Sequence, residues 1–345
     1  MALTTRDKRM AQSNLTLDVP SCAFRYPALA PVAVPAPSTS ASASAVAAQQ
    51  GELRLSDFDR LAVLGRGNGG TVYRVSHRRT SALYALKILH RGDHAAAAEA
   101  DVACRVDSPY IVRCHSVLPT ASGDVALLLE LVDGGSLDSL AGPGPFPEAA
   151  VAEVAAQALS GLAHLRARRV VHRDIKPANL LVSRAGQVKL ADFGIAKVVS
   201  RAGDGDHCAA YEGTAAYMSP ERFDTERLRD GHGDRADPYA ADVWSLGVTL
   251  LELVMGRYPL LPAGQRPTWA ALMCAICFGE RPALPDGVAS PELRGFVSAC
   301  LQKDHRKRAT VTELLLHPFV AGRDVAASRR ELREVIELRC LFEQC

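Results

Sequence analysis

The chain has 345 residues, of which 48% are hydrophobic and 23% charged, and its formal net charge is +2. That length supports a two-lobed domain with a sizeable core and a non-globular margin, and the near-neutral charge argues against a polyanion-binding surface, so no nucleic-acid partner is expected. Nine cysteines are scattered along it without a secretory leader or an apolar run of spanning length; this fits free thiols in a reducing cytoplasmic or nuclear compartment and no membrane partner.

Residues 1–26 are polar and mixed, and residues 27–50 hold only Ala, Pro, Ser, Val, Leu, Thr and Gln. Too few large apolar groups are present there to offset ordering entropy, so residues 1–53 are expected to be disordered. Within the leading stretch Lys8 and Arg9 precede Leu15-Thr16-Leu17. Basic residues followed by spaced leucines suit an extended segment whose charges meet an acidic patch and whose leucines fill pockets. On spacing alone, a plain polar tail reads the same way.

The folded part is expected to begin near Phe58. Leu61-Ala62-Val63-Leu64 reads as a strand, followed by the turn Gly65-Arg66-Gly67-Asn68-Gly69-Gly70 and a β-like return through Val72-Tyr73-Arg74-Val75. Glycines let backbone close over phosphates without Cβ clashes, but G-x-G-x-x-G alone also fits a dinucleotide site. That rival requires a helix directly after the glycines, and a strand follows instead. Tyr84–Ile88 is a second strand in which Lys87 is the single cation, and the Ala-rich helix expected over residues 95–105 offers it Glu99. Asp101, two residues on, points to another face. Leu127–Leu131 ends a strand and runs through Val132-Asp133 to Gly134-Gly135, a hinge for an adenine ring.

Apolar residues at helical spacing (Val151, Val154, Ala158, Leu162, Leu165) predict a buried helix over 149–168. It leads into His172-Arg173-Asp174-Ile175-Lys176-Pro177-Ala178-Asn179 and then Asp192-Phe193-Gly194. Each polar residue alone is a commonplace turn former. As a set, held between apolar runs, they supply what phosphoryl transfer needs: Asp174 to take a proton, Lys176 beside a moving phosphoryl group, and Asn179 and Asp192 as oxygen ligands for magnesium. Asp242–Gly247 is expected to open a long apolar helix. Glu221 is expected to pair with Arg308, and His317 to pack or cap. Cys274 and Cys277 form a C-x-x-C in an apolar helical run and are expected to pack in the core. The tail 321–345 alternates Arg and Glu beside Leu332, Val335, Ile336 and Leu338, an amphipathic helix expected to pack on the folded domain or to receive a partner.

From about 58 to 320 the chain resembles a eukaryotic protein kinase, with every motif above in order, and Lys176 resembles the serine/threonine-type loop. Asp107-Ser108-Pro109-Tyr110-Ile111-Val112, Val132-Asp133-Gly134-Gly135 and Tyr217-Met218-Ser219-Pro220-Glu221-Arg222 resemble a mitogen-activated protein kinase kinase. Pro259-Leu260-Leu261-Pro262, Gln265-Arg266-Pro267 with Trp269, and Leu272-Met273-Cys274-Ala275 are similar to the plant branch. The resemblance implies an α+β bilobal kinase domain over 54–320, with a five-stranded antiparallel small lobe to about residue 133, a mostly helical large lobe over 134–320, and a monomeric state. It implies ATP and Mg2+ as cofactors, with Asp174, Lys176 and Lys87 catalytic and Asn179 and Asp192 on the metal. Leu64, Gly65, Arg66, Gly67, Asn68, Gly69, Gly70, Val72, Ala85, Lys87, Glu99, Leu129, Glu130, Val132 and Leu181 would surround the nucleotide. The implied reaction is dual-specificity phosphorylation of threonine and tyrosine in a MAP kinase's activation loop, in plant stress or defence signalling. It also implies a MAP kinase kinase kinase upstream and a MAP kinase docked on Lys8, Arg9, Leu15 and Leu17. The alternative is a kinase-like scaffold that binds a MAP kinase and scarcely turns over.

Two departures from the family pattern are expected to matter. The activation-segment positions that usually carry phosphorylatable hydroxyls fall at Ala210 and at Asp204 or Asp206, so Arg173 would meet at most one carboxylate charge where a phosphate brings about two. Small residues, Ala103 and Cys114, stand where larger ones usually stack near Phe193 and His172, so the helix carrying Glu99 is expected to sit loosely.

Overall fold

The computed structural model describes residues 53–67, 70–89, 94–141, 144–199, 213–223, 237–285 and 287–342. Lys8, Arg9, Leu15 and Leu17, expected to dock a partner, the stretch 27–50, Asp204, Asp206 and Ala210, expected to be regulatory, and Asn68 and Gly69 of the glycine turn all lie outside the described residues.

Five antiparallel strands form the small lobe: β1 (Phe58–Gly67), β2 (Gly70–His77), β3 (Leu83–Leu89), β4 (Cys114–Pro119) and β5 (Val125–Glu130), in the order β1-β2-β3-β5-β4. Strand periodicity decides which residues face which core. Leu86 and Ile88 of β3 and Ala126 and Leu128 of β5 face one apolar cluster, with Phe58 and Val75. The alternate residues Leu89 and Leu127 face the other, under helix α1 (His94–Arg105), where Ala96 and Ala103 are buried. Lys87, two residues from Leu89, therefore shares the face that α1 covers. Asp101 points away and pairs with Arg105 at 2.8 Å on the exposed side.

The large lobe is built on α2 (Glu148–Ala167), an Ala-rich helix buried along most of its length, and α3 (Pro238–Met255). α3 begins earlier than the sequence suggests. Asp237 caps it, accepting from the Tyr239 amide at 3.0 Å, Pro238 occupies the first turn, and Gly256 ends it in the left-handed region at φ 64°. Asp242 consequently lies inside the helix, buried, and is not its opening residue.

Behind these helices, Arg308 places both guanidinium ends on Glu221, at 2.6 and 2.9 Å, with its side chain wholly buried. The same guanidinium donates to Ala240 O and Gln302 O and lies over Trp244. His317 caps the turn Pro318–Ala321, accepting from the Phe319 amide at 3.2 Å, and packs edge-on against Phe296.

The tail forms a helix, α4 (Val325–Phe342), laid on α2 with Leu332 and Ile336 fully buried. A buried acid on α2 fixes the contact: Glu153 accepts from Arg323 at 2.9 Å and from Arg329 at 3.0 Å. The apolar side of the tail is thus taken up by the large lobe, while Leu338 remains exposed. Cys274 departs from expectation. Trp269–Met273 is α-helical, but Cys274–Phe278 widens into a π-helical turn, which moves Cys274 to the exposed side; Cys277 is half-buried beside Pro220 O. Cys277 thus packs against the large-lobe core as expected, and Cys274 does not. Among the described residues no group of three or more His, Cys, Asp or Glu is arranged to hold a metal.

Candidate active site

Four short strands set the stage between the lobes. β6 (Val170–Val171) pairs with β9 (Lys197–Val198), and β7 (Leu180–Val182) pairs with β8 (Val188–Leu190). Apolar residues pin both ends of each segment, so the polar loop of residues 172–179 has few places to go. Its conformation is then held by hydrogen bonds from outside. The Asp242 carboxylate accepts from the amides of His172 and Arg173, both at 2.8 Å. Burial pushes this carboxyl above its ordinary range despite His172 and the two N–H donors. Arg222 donates to Arg173 O at 2.8 Å, and Arg173 itself sits at φ 71°. His172 bridges both halves of the site: Nε2 meets Ala191 O at 3.1 Å and Nδ1 meets the Asp174 amide at 3.4 Å.

Asp174 is held on every side. Thr214 donates to Oδ1 through Oγ1 at 2.8 Å and through its amide at 3.1 Å. Lys176 donates to Oδ2 at 2.7 Å and also to Thr214 Oγ1 at 2.6 Å. The Asn179 amide nitrogen donates to Asp174 O at 2.8 Å and to Oδ2 at 2.9 Å, leaving the Asn179 oxygen as the atom able to meet a cation. A carboxylate fixed by so many donors is presented in one orientation.

The two lobes meet at Lys87. Its ammonium lies 2.5 Å from Glu99 of α1 and 2.7 Å from Asp192 of the large lobe. Burial works against the charge on Lys87, but the two carboxylates outweigh it and raise its pKa; burial likewise works against Asp192, and Lys87 with the Gly194 amide holds it below its usual range. With the ammonium raised and the carboxyl lowered, both stay charged throughout neutral pH. The Lys87 and Gly194 contacts of Asp192 are both to Oδ1, so Oδ2 is left for a cation. A Cβ at Gly194 would stand 3.3 Å from both Asp192 Oδ1 and Glu99 Oε2, close enough to press on the two acids that hold Lys87. The Lys87–Glu99 pair is closed in this structure, with Ala96, Ala100 and Ala103 of α1 sharing one apolar cluster with Leu89, Leu127 and Cys114. His172 and Phe193 stack with ring centres 5.2 Å apart.

The remaining predicted residues line the two sides. Leu64, at a bulge in β1, with Gly65, Arg66 and Gly67 opposes Val72 and Gly70 of β2. Gly70 has φ 116°, and a Cβ there would fall 1.9 Å from Ile88 O, so only glycine permits the hairpin to fold down. Ala85 pairs across the sheet with Leu129, and Lys87 pairs with Val72 on one side and Leu127 on the other. At the hinge, the Glu130 amide donates to Arg113 O and its carboxylate is tied to Lys189 at 2.8 Å, which holds the strand end before Val132. Leu181 bridges to Ser136 just past the hinge. Asp242 is the functional residue that sequence reasoning missed. An acid within the apolar run Tyr239-Ala240-Ala241-Asp242-Val243-Trp244 was the available signal.

One further acid responds to pH. Tyr217 donates to Glu252 at 2.6 Å, and burial raises the Glu252 carboxyl from its ordinary 4.5 to about 7. The folded state then binds this proton more tightly than the unfolded chain, so the group makes the fold less stable as pH rises from 4.5 to about 7. At about 1.4 kcal/mol per decade the effect is at most roughly 3 kcal/mol. Glu252→Gln is expected to melt with the parent at pH ~5 and several degrees above it at pH ~8; coincident melting at the higher pH would contradict the assignment.

Residues 58–320 match the family described as Protein kinase domain. Mitogen-activated protein kinase kinase 9 of Arabidopsis thaliana is 49% identical over 271 residues, covering 76% of this chain and 84% of that protein. Mitogen-activated protein kinase kinase 7 of the same plant is 47% identical over 272 residues, covering 77% and 85% respectively. Mitogen-activated protein kinase kinase 10, also from that plant, is 46% identical over 271 residues, covering 78% and 86%.

Proposed function

This chain belongs to the protein kinase family, among the plant mitogen-activated protein kinase kinases, and from that premise we propose how its own residues carry the reaction and its control. The enzyme is a dual-specificity kinase that passes the γ-phosphoryl group of ATP to threonine and tyrosine in a MAP kinase. The observation that carries the residue assignment is Lys87, which bridges Glu99 and Asp192 from two different lobes at 2.5 and 2.7 Å. A scaffold that only binds a MAP kinase has no need for that bridge together with a fully held Asp174, and this reading is not favoured.

In this proposal Asp174 orients the incoming hydroxyl and takes its proton, and Lys176 and Lys87 face the developing negative charge. The Asn179 oxygen and Asp192 Oδ2 are hard oxygen donors of the kind magnesium takes, and two protein ligands plus phosphate oxygens are its usual complement. Magnesium bound there would neutralise phosphate charge. Gly65, Gly67 and Gly70 let the hairpin lie against phosphates; Leu64, Val72, Ala85 and Leu181 sandwich the adenine, and the backbone from Glu130 to Val132 meets its edge.

Control and partners extend the proposal. Lys8, Arg9, Leu15 and Leu17 dock the MAP kinase. Activity is set without double phosphorylation of the activation segment, because Ala210 and Asp204 or Asp206 carry no hydroxyl. The enzyme acts as a monomer in the cytoplasm, with access to the nucleus; among the described residues no helix is long and apolar enough to cross a membrane. One kinetic assay tests both points, using a catalytically dead MAP kinase as acceptor with and without an upstream kinase. Replacing the four docking residues by Ala is expected to raise KM for that acceptor about tenfold, roughly 1.4 kcal/mol of uniform binding, with kcat unchanged. The upstream kinase is expected to leave kcat within about twofold, since Ala210 and Asp204 or Asp206 offer it no hydroxyl to phosphorylate. An unchanged KM removes the docking role, and a large gain with phosphate on the activation segment removes the regulatory one.

A further inference from the structure

β8 carries one charged side chain, and it points at the hinge. Side chains alternate along Val188-Lys189-Leu190; Val188 and Leu190 enter the large-lobe core, and Lys189 takes the opposite face. Across the ribbon Lys189 stands opposite Leu181 of β7, so these two side chains share that face. Lys189 is buried, and its ammonium lies 2.8 Å from Oε1 of Glu130, the last residue of β5. The same Oε1 accepts from the Arg113 amide, and the Glu130 amide donates to Arg113 O, both at 2.9 Å.

The seat of Lys189 is firm. The Leu190 amide donates to Tyr110 O and Leu190 O accepts from the Val112 amide, both at 2.9 Å. On either side, the Val188 amide donates to Gln157 of α2 at 2.8 Å and the Ala191 amide to Asn179 O at 2.9 Å. A strand tied at each residue fixes where the ammonium sits, so Glu130 is the group whose place is decided by the pair. We propose that Lys189 is a positioning residue for ATP: by holding Glu130 it sets the spacing between Leu181 under the adenine and the hinge backbone at the adenine edge. The inference rests on the reading of this cleft as the nucleotide site and adds to it the residue that gauges its width.

Charge, more than bulk, carries this role. An ammonium shielded from water attracts a carboxylate at 2.8 Å more strongly than an exposed one does. Methionine nearly matches lysine in length, so Lys189→Met keeps the packing beside Leu181 and removes the attraction. The Glu130 side chain is 25% exposed and can then turn to water, which leaves the end of β5 tied to Arg113 alone. The adenine is held alike in the ground state and the transition state, so the loss falls on KM for ATP and spares kcat.

The test titrates ADP with magnesium into the full chain by calorimetry and runs steady-state kinetics with ATP varied, below the melting temperature of every variant. Lys189→Met is expected to raise Kd for ADP and KM for ATP about tenfold, with kcat within about threefold and KM for the protein acceptor unchanged. Lys189→Arg, which restores the charge, is expected to bind ADP within about threefold of the parent. Adding Glu130→Gln to Lys189→Met should weaken ADP no further, because both changes break one contact. Parental ADP affinity in Lys189→Met overturns the inference, and so does a change confined to kcat or a failure of Lys189→Arg to rescue. A parent that binds no ADP at all overturns the nucleotide reading of the cleft, a result distinct from the other three.

Discussion

Asp174→Asn is expected to lower kcat for phosphate transfer by about 10²–10⁴-fold, the usual contribution of a general base. The substitution keeps the size of the side chain and one oxygen able to accept from Thr214, so the fold should tolerate it. What it removes is the charge that Lys176 contacts at 2.7 Å and the atom that can take a proton. It also places an amide NH2 group against either the Asn179 nitrogen or the Lys176 ammonium, both of which donate to Oδ2. The loss should therefore fall on kcat, while KM for ATP stays within about threefold because the nucleotide's holders are elsewhere. Steady-state kinetics at several ATP concentrations separate the two. Parental kcat in this variant would strip Asp174 of its role.

Arg308→Leu is expected to be the most destabilising single change, at about 3–5 kcal/mol. The partner left behind is Glu221, whose carboxylate is almost fully covered and which burial alone would push toward its neutral form; Arg308 is what keeps it low. Leucine cannot supply the bidentate contact, nor the bonds to Ala240 O and Gln302 O that join three segments of the large lobe. Melting should fall by roughly 6–20 °C in a domain of this size. Arg308→Leu combined with Glu221→Leu should recover much of that loss, because it removes the orphaned charge as well. If the single variant melts within a degree or two of the parent, the pair is not structural.

Much of the site could be read before any coordinates because its residues are short-range neighbours along the chain. Asp174, Lys176 and Asn179 lie within one loop, and the glycine turn sits between two β-like runs. The Lys87–Glu99 pair was also legible, since strand alternation and an Ala-rich helix leave one acid on the facing side. What stayed hidden were contacts of long sequence separation. Asp242 reaches back 70 residues to the His172 amide, and its place in an apolar run marks it as unusual without saying which distant groups it meets. The start of α3 was misplaced for a related reason: Asp237-Pro238 carries the true cap, while the apolar run becomes obvious only later. Cys274 was misassigned because a π-helical turn breaks the 3.6-residue period on which facing arguments rest. The exposed side of α4 carries Leu338 among charges, so composition alone left its packing face open; Glu153, buried in α2 and paired with Arg323 and Arg329, settles that face.

The most direct measurement of the central claim is phosphosite mapping on a catalytically dead MAP kinase after incubation with this enzyme, ATP and magnesium. New phosphate is expected on both the threonine and the tyrosine of the acceptor's activation loop, and on neither when Asp192→Asn or Lys87→Met replaces the parent. An acceptor that is bound but carries no new phosphate, or one phosphorylated equally by those two variants, would contradict the assignment of these residues to phosphoryl transfer.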